Sequence, residues 1–351
     1  GGTAGHVTPN IALLPALQAA GYEIAYVGSY EGIEKKLIAD FNIPYTGIST
    51  GKFRRYLDPK NFSDPFRVMK GFVEARNYLK NYQPDVVFSK GGFVSVPVVR
   101  AAASLHIPCI IHESDMTPGL ANKLCIPVAE KVCCNFPETM KNIPADKAVL
   151  TGSPIRAELA QGSRLAGLNM CGFTANKPVI MVIGGSLGAA NVNKAVRDAL
   201  PKLLEDFQVV HLCGKDKIDN LLLNTPGYKQ FEYIKAELKD IFAMADVVIS
   251  RAGANAICEL LALKKPNILI PLPAASSRGD QLLNAASFEA QGYSIVLNED
   301  DITTNLLVDK VHELYFNRQN YVEAMSRSHQ MDAINTIMLL INEAANKSHT
   351  Q

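Results

Sequence analysis

Short apolar runs alternate along this chain with longer stretches of helical pattern, and this alternation restricts the fold more than any other feature. Most of the runs are continuously apolar, as expected for parallel strands that helices cover on both faces. Strands alternating with helices are typical of βαβ units, so the sequence predicts an α/β protein. The predicted strands lie in EIAYVG, DVVFSKGG, PCIIHES, KVCCNF and AVLTGS, and then in PVIMVIGG, FQVVHLCG, ADVVISRAG, PNILIPL and YSIVL.

Two glycine pairs divide the chain into similar halves. Gly184–Gly185 stand between a predicted strand and a predicted helix, and the opening GGTAGHVTPNIALL resembles the second part of that unit. By analogy, we expect roughly ten upstream residues, including the initiating methionine, to supply a first strand. The 351 residues suggest about two domains. We place the linker in TGSPIRAEL (151–159), and the last helix, about 331–347, can pack on either domain.

Both glycine pairs lie at predicted strand-to-helix turns, in Gly1–His6 and Gly184–Gly188. Glycine permits a tight turn and lets a ligand approach the backbone closely. The helix N-terminus that follows offers unpaired N–H donors, which suit a diphosphate. One such loop is equally typical of a plain turn, but one in each half favours a nucleotide-type ligand. Neither loop is the full fingerprint G-x-G-x-x-G or a P-loop, which disfavours NAD and a nicotinamide dehydrogenase.

Polar residues after other predicted strands are further candidates, because open α/β sheets bind ligands at the carboxyl ends of their strands. Glu259 could accept hydrogen bonds from both hydroxyls of a ribose, or could be a solvated residue favoured by the helix dipole. His6 suits a general base, since the ordinary pKa of histidine is near neutral, although a single histidine is more often structural. A polar cluster follows PCII, where Asp115 or Thr117 could instead cap a helix. Its members are His112, Glu113, Ser114, Asp115 and Asn122.

Residues 50–80 form a basic stretch with interleaved aromatic residues. It carries eight Lys/Arg against three Asp/Glu, a net charge of +5. Basic residues around exposed apolar ones suit an anionic membrane surface. The alternative is a core-packing helix face, since Phe62, Phe66, Met69 and Val73 have helical spacing. The residues predicted to contact the membrane are Phe53, Arg54, Arg55 and Tyr56.

Composition restricts the class of partner. The net charge of +1 gives no overall field for nucleic acid. No run of 18 or more apolar residues predicts a transmembrane helix, and no signal peptide is visible. The seven scattered cysteines favour reduced thiols and a cytosolic setting, without zinc-ligand spacing. No D-x-D triplet follows a predicted strand, and the acidic run EDD at 299–301 is interpreted as a loop. We therefore expect no metal and no cofactor.

Together these motifs resemble one family, the bacterial N-acetylglucosaminyltransferases of peptidoglycan synthesis (the MurG family), which convert lipid I to lipid II. The resemblance runs in the family's order from residue 1 to about 286. The matching stretches are GGTAGH, PDVVFSKGGFVSVP, HESDMTPGLANK, TGSPIR, GGSLGA, YI at 233–234, SRAGANAICE and SRGDQLLNA.

The resemblance implies a GT-B architecture, in which two Rossmann-like parallel-sheet domains face each other across a cleft. The implied N-terminal domain, residues 1–156 plus 332–351, binds the acceptor and associates with the membrane. The implied C-terminal domain, residues 157–331, binds UDP-GlcNAc. The last helix would accordingly return to the N-terminal domain.

The resemblance also implies roles for single residues. Ser186 and its loop bind the diphosphate, Glu259 binds the ribose, and the backbone at Ile234 reads the uracil. For the base that takes the acceptor proton, His6 is our first candidate and Asp115 our second. The other residues implied at the donor site, or where donor and acceptor sugars meet, are Thr3, Ala4, Gly5, Asn122, Arg156, Ala254, Asn255 and Gln281.

Three residues depart from the family pattern. Asp115 stands where many members have asparagine, which puts an acid at the reacting centre. Phe93 replaces a common tyrosine, and Asp280 replaces the first of two glutamines in some members. These departures affect the expected sugar contacts rather than the reaction.

The implied substrates are UDP-GlcNAc and lipid I, an undecaprenyl-linked acceptor. The implied location is the cytoplasmic face of the bacterial cell membrane, as a peripheral protein on the inner leaflet, with other wall-synthesis proteins as further candidate partners. The alternatives are another GT-B glycosyltransferase, a UDP-GlcNAc 2-epimerase and a non-catalytic nucleotide-sugar sensor. An epimerase has no obvious use for HESDMTPGLANK or for the basic stretch.

Overall fold

The computed structural model describes residues 3–51, 64–185 and 190–350. The chain divides into two units, of which the first holds residues 1–156 and 332–351 and the second holds residues 157–331. All strand pairs of the described residues are parallel. The predicted α/β class with parallel sheets is confirmed.

The first unit carries six strands and six helices among the described residues. The strands are β1 (Tyr26–Ser29), β2 (Tyr45–Ile48), β3 (Val87–Ser89), β4 (Cys109–Glu113), β5 (Lys131–Cys134) and β6 (Ala148–Leu150). The helices are α1 (Thr8–Ala19), α2 (Ile33–Ile38), α3 (Asp64–Tyr82), α4 (Ser95–Ser104), α5 (Leu120–Cys125) and, after the second unit, α14 (Ala333–Ser348). β1 pairs with β2, and β3 to β6 form a four-stranded sheet in chain order.

Helices cover both faces of the first unit's strands. Successive side chains of a strand point to opposite faces, so Ile110 and Ile111 of β4 enter different clusters. Ile111 packs with Leu79 of α3 and residues of α4 and α5. Ile110 packs with Leu13 of α1 and Ile341 of α14. The last helix therefore packs in the first unit.

The second unit has a six-stranded sheet. Its strands are β7 (Val179–Ile183), β8 (Gln208–Leu212), β9 (Tyr228–Phe231), β10 (Val247–Ser250), β11 (Asn267–Leu269) and β12 (Ser294–Val296). Its helices are α6 (Arg164–Cys171), α7 (Ala190–Asp206), α8 (Leu238–Met244), α9 (Ala254–Ala262), α10 (Ala274–Ser277), α11 (Asp280–Ala290), α12 (Thr304–Phe316) and α13 (Arg318–Ser326). The spatial order of the strands is β12-β11-β10-β7-β8-β9.

All ten predicted strands are present, and the structure adds two that the sequence did not indicate. β2 has the sequence YTGI and β9 has the sequence YKQF. Both lie at an end of their sheet, where one side of the strand needs no partner. Such strands do not need the continuous apolar run on which the prediction relied.

The exposure of one face of α3 argues against the alternative interpretation that this face packs on the core. Phe66, Met69 and Val73 are 78%, 62% and 52% exposed, so this face does not pack on the core. The opposite face does, with Ala75 and Leu79 buried. Phe62 lies outside the described residues.

The cysteines are all buried and none forms a disulfide. Burial raises the pKa of the Cys133 thiol to about 12 and that of Cys171 to about 11. A thiol that stays protonated at neutral pH is a poor nucleophile and a poor metal ligand. We assign these side chains to core packing.

Candidate functional site

Two loops of the second unit meet where the order of its strands reverses. β7 lies between β8, which follows it in the chain, and β10, which comes later. Ile183 and Ser250, the last residues of β7 and β10, are register partners. Gly184–Gly185 and Arg251–Gly253 therefore leave the sheet side by side. Open α/β sheets bind ligands at such a switch point.

Two side chains of α11 hold the backbone at Ala252. Gln281 Oε1 accepts hydrogen bonds from Ala252 N at 3.2 Å and from Leu272 N at 3.0 Å. The buried Asn284 donates from Nδ2 to Ala252 O at 3.0 Å. The next residue, Gly253, is the N-cap of α9 and supplies no side-chain cap. The first turn of α9 is thus carried by a fixed loop and suits an anion.

A buried ion pair supports the same loop. Arg251 is 5% exposed, and its Nη2 donates to Glu299 Oε1 at 2.5 Å. Its Nη1 donates to Ile270 O at 3.1 Å and to Pro271 O at 3.4 Å. The end of β10 is thereby tied to the end of β11. The EDD run, expected to be a loop, is a one-turn 3-10 helix (Glu299–Asp301) whose first carboxylate belongs to this support.

The predicted donor residues of the second unit lie in the loops and helices that follow its strands. Ala254 and Asn255 begin α9, and the half-buried Glu259 lies in its second turn. Gln281 uses its oxygen on the backbone, which leaves Nε2 to donate to a ligand. Ile234 is half-buried in the loop after β9. Ser186 lies outside the described residues.

In the first unit, one buried carboxylate organises the loop after β4. Glu113 accepts from Asp115 N at 2.8 Å, from Gly119 N at 3.2 Å and from Asn122 Nδ2 at 2.8 Å. Burial raises the pKa of the Glu113 carboxyl, and these hydrogen bonds oppose the rise. Glu113 therefore fixes the path of residues 114–119, and with it the backbone of Asp115.

The helix-cap interpretation of this loop is wrong. The N-cap of α5 is Gly119, which carries no side chain, so neither Asp115 nor Thr117 fills that position. Asn122 also differs from expectation, because it is only 5% exposed. Its Nδ2 donates to Glu113 and to His112 O at 3.1 Å. Its amide nitrogen thus helps to position Glu113, whereas its Oδ1 is buried without a hydrogen-bond partner among the described residues, and the predicted contact with a sugar stays a prediction.

His112 belongs to the core. It is fully buried, and its Nε2 donates to Gly152 O at 2.8 Å. Burial, with a smaller contribution from the positive charge of Lys90, holds the pKa of His112 well below its usual range. A histidine that stays neutral and enclosed cannot exchange protons with a substrate, so we remove it from the candidate site.

Lys90 is a buried cation that the sequence analysis did not single out. It follows β3, is 3% exposed, and its Nζ hydrogen-bonds Ser114 Oγ. The glycines after it have positive φ angles, 106° at Gly91 and 86° at Gly92, which few other residues adopt. Lys90 thus joins the loop after β3 to the loop that carries Asp115.

His6 closes a short 3-10 helix, Ala4–His6, just before α1. Its Nδ1 lies 3.1 Å from Thr3 Oγ1, and its carbonyl oxygen accepts from Asn10 Nδ2 at 3.3 Å. Thr3 and Ala4 are exposed, whereas Gly5 and His6 are half-buried. Partial exposure and the hydrogen bond with Thr3 suit a histidine side chain that meets a substrate hydroxyl.

Two further site predictions stay predictions. Arg156 is the exposed last residue of the first unit's N-terminal segment. The predicted membrane-contact residues Phe53, Arg54, Arg55 and Tyr56 lie outside the described residues.

Three supporting residues were missed from sequence: Lys90, Arg251 and Asn284. Lys90 and Arg251 each follow an apolar strand directly, which is a signal of a charge held near the sheet's carboxyl end. Asn284 had no such signal, because its role depends on how α11 docks on Ala252.

Two family descriptions match most of the chain. Residues 1–134 match the glycosyltransferase family 28 N-terminal domain, and residues 179–338 match the glycosyltransferase family 28 C-terminal domain. Similar solved structures include that of Acinetobacter baumannii MurG, with a TM-score of 0.76, 27% identity and 97% of each chain covered. The UDP-GlcNAc 2-epimerase of Methanocaldococcus jannaschii is also similar, with a TM-score of 0.66, 14% identity and 97% of each chain covered, which shows the fold alone.

Curated relatives match over nearly the whole length. The UDP-N-acetylglucosamine--N-acetylmuramyl-(pentapeptide) pyrophosphoryl-undecaprenol N-acetylglucosamine transferase of Lachnospira eligens is 64% identical over 98% of this chain and 97% of its own. The transferase of the same description from Clostridium botulinum is 56% identical over the same shares.

Two α/β units with parallel sheets, together with the two family matches and the similar solved structure, define a glycosyltransferase of the GT-B architecture. The chain belongs to glycosyltransferase family 28, and its relatives within that family are the MurG enzymes.

Proposed function

We propose that this chain transfers N-acetylglucosamine from UDP-GlcNAc to the 4-hydroxyl of MurNAc-pentapeptide in lipid I, which makes lipid II for peptidoglycan synthesis. The 64% identity to the Lachnospira eligens transferase over 98% of the chain carries the proposal. The switch-point site of the second unit supports it physically. A lipid I analogue incubated with UDP-GlcNAc should gain one N-acetylhexosamine residue by mass spectrometry, and an unchanged acceptor mass would contradict the proposal.

The donor is bound by the second unit in this proposal. The loop that contains Ser186 and the first turn of α9 hold the diphosphate, because backbone amides at helix starts favour anions. Glu259 accepts from the ribose hydroxyls, and the backbone at Ile234 reads the uracil. Gln281 donates from Nε2 to the sugar.

The Glu259→Ala variant tests the donor assignment. Hydrogen bonds to a charged group contribute about 1.5–3 kcal/mol, so the Kd for UDP-GlcNAc should rise by roughly 10- to 150-fold. Isothermal titration calorimetry measures this change. The exposed Glu205 of α7 provides a matched control, and Glu205→Ala should leave the Kd unchanged. Equal donor affinity in Glu259→Ala and the parent chain would remove the ribose role.

The transfer is a single in-line displacement that inverts the anomeric carbon. The acceptor's 4-hydroxyl oxygen forms the new bond to C1 while the bond from C1 to the UDP oxygen breaks. A base takes the hydroxyl proton, and we assign this role to His6, with Asp115 as the second candidate. Helix-start amides stabilise the charge that gathers on the leaving diphosphate, so the proposal requires no metal.

The exposed face of α3 is the proposed membrane contact of the first unit. Phe66, Met69 and Val73 form an apolar stripe, and the exposed Arg67 and Lys70 lie beside it. Apolar side chains with flanking cations suit an anionic lipid surface. No helix among the described residues is long and apolar enough to cross a bilayer. The contact would place the acceptor-binding unit on the cytoplasmic face of the membrane.

The double variant Phe66→Ser/Met69→Ser should bind vesicles of phosphatidylglycerol and phosphatidylcholine at least about tenfold more weakly, because burial of one such side chain is worth about 1.5–3 kcal/mol. Vesicle co-sedimentation measures the binding, and raised salt should weaken it in the parent chain. The control is Leu221→Ser, since Leu221 is 93% exposed in the second unit. Equal loss in both variants would reject the α3 stripe as the contact.

A further inference from the structure

Three buried polar side chains form a hydrogen-bonded network between α7 and β9 in the second unit. They are Asn193 of α7, His211 of β8 and Tyr228 of β9. Nε2 of His211 lies 2.8 Å from Asn193 Oδ1, and Nδ1 of His211 lies 2.7 Å from Tyr228 Oη. Tyr228 otherwise packs in an apolar cluster. Because a buried polar group is costly unless it is hydrogen-bonded, each member of the network depends on its neighbour.

The direction of each hydrogen bond in the network follows from Asn193. Its Nδ2 donates to Cys213 O at 2.8 Å, so its Oδ1 faces His211 and accepts. Nε2 of His211 must then carry the proton, and Nδ1 accepts from the Tyr228 hydroxyl. Burial, with a smaller contribution from the positive charge of Arg197, lowers the pKa of His211 to about 3. The ring is therefore neutral at neutral pH, which lets it donate on one side and accept on the other.

Asn193 connects two segments to which parts of the donor are assigned. It is the fourth residue of α7, which follows the loop proposed to bind the diphosphate. Its partner Cys213 directly follows β8, and Cys213 N donates to Phe231 O at 2.9 Å. Phe231 ends β9 and stands three residues before Ile234, whose backbone is proposed to read the uracil. The start of α7 is thus tied through Asn193 to the segment that leads to Ile234.

We propose that His211 is a positioning residue for donor binding, which orients Asn193 and thereby fixes the spacing between the start of α7 and the segment after β9. His211 is fully buried, so it acts through Asn193 and not by contact with the donor. A ligand that contacts two segments binds more tightly when their spacing is set in advance. The inference rests on the proposed binding of UDP-GlcNAc by the second unit.

UDP and uridine distinguish this role from a purely structural one. In the proposed binding mode UDP contacts both segments, because it carries the uracil and the diphosphate. Uridine lacks the diphosphate and needs only the segment after β9 and the ribose contact of Glu259. Loss of the fixed spacing should therefore weaken the binding of UDP and leave that of uridine nearly unchanged.

The test compares His211→Leu with His211→Gln. Leucine cannot hydrogen-bond to Asn193, whereas the side-chain amide of glutamine can donate to Asn193 Oδ1. In His211→Leu the Kd for UDP should rise by about tenfold, while the Kd for uridine should change by less than about twofold. His211→Gln should return the Kd for UDP to within about threefold of that of the parent chain. Isothermal titration calorimetry measures UDP binding, and ligand-detected NMR measures the weaker binding of uridine.

Two further variants complete the test. Leu203 is a buried core residue of the same helix, so Leu203→Ala should lower the melting temperature but keep the parent's ratio of the two Kd values. Tyr228→Phe removes only the hydroxyl that donates to His211. It should raise the Kd for UDP by about threefold without changing that for uridine, and it serves as the test if His211→Leu does not fold.

The outcomes separate this inference from the donor assignment on which it rests. If the parent chain binds UDP, equal changes of both Kd values in His211→Leu, or no change in either, would overturn the positioning role alone. The same change of ratio in Leu203→Ala would also overturn it, because general destabilisation would then be the cause. A parent chain that binds no UDP would overturn the donor assignment and this inference with it.

Discussion

Replacing His6 with alanine is expected to lower kcat by about 10²- to 10⁴-fold, the usual contribution of a positioned general base. The Kd for UDP-GlcNAc should change little, because His6 stands in the first unit, whereas Glu259 and Ile234, proposed to bind the ribose and the uracil, stand in the second. Turnover should fall because the acceptor hydroxyl would lose the group that takes its proton. Stopped-flow or coupled UDP-release kinetics with a lipid I analogue give kcat, and calorimetry gives the donor Kd.

Two variants make this result specific. His349→Ala removes an exposed histidine of the same unit that pairs with Asp85 and has no place in the site, and its kcat should match that of the parent chain. Asp115→Asn keeps the shape of the rival base and removes its charge. If His6→Ala retains its turnover while Asp115→Asn loses it, the base is Asp115.

Replacing Arg251 with alanine is expected to destabilise the second unit by about 3–5 kcal/mol, because the change leaves Glu299 as a buried charge without its partner. The two carbonyl oxygens at the end of β11 also lose a donor. For a unit of this size the melting temperature should fall by roughly 6–20 °C. Differential scanning calorimetry measures the shift. Donor affinity should fall with it, since Arg251 holds the loop that presents α9.

The control for this prediction is an exposed ion pair in the same unit. Lys194 and Asp198 pair at 2.5 Å on α7 with side chains 74% and 52% exposed, so Lys194→Ala should cost only about 0–1 kcal/mol. The double variant Arg251→Met/Glu299→Leu should recover much of the lost stability, because it leaves no unpaired charge. A loss in Arg251→Ala no larger than that in Lys194→Ala would contradict the supporting role of the buried pair.

Strands could be predicted from the sequence where burial on both faces requires apolar side chains. β7 is covered on both faces, so it appears in the sequence as an unbroken apolar run. β9 was not predictable in this way, because at an edge it alternates Tyr228 and Gln230 inward with Lys229 outward. The sequence left the α3 stripe open between a membrane contact and a core-packing face for a related reason. Helical spacing of Phe66, Met69 and Val73 indicates a shared face but does not say whether that face meets a core or a different surface.

The sequence predicted where the site lies better than it predicted which side chains hold the loops of the site in place. Polar residues after strands indicated Glu259 and Asp115, because chain direction alone places them at the carboxyl ends of strands. Gln281 was predicted only from the family resemblance. The distinction between Asn122, which is buried against Glu113, and a residue that meets the sugar depends on side-chain packing. The Arg251–Glu299 pair joins residues 48 positions apart, and no local pattern reports such a contact.

The most direct test of the central claim is UDP release from UDP-GlcNAc in EDTA, with and without a lipid I analogue. We predict release that depends on the acceptor and persists without free divalent metal, as expected for an inverting transferase. Release without acceptor, accompanied by N-acetylmannosamine, would instead identify a 2-epimerase. Tight UDP-GlcNAc binding with no release of UDP would contradict catalysis and leave a nucleotide-sugar sensor.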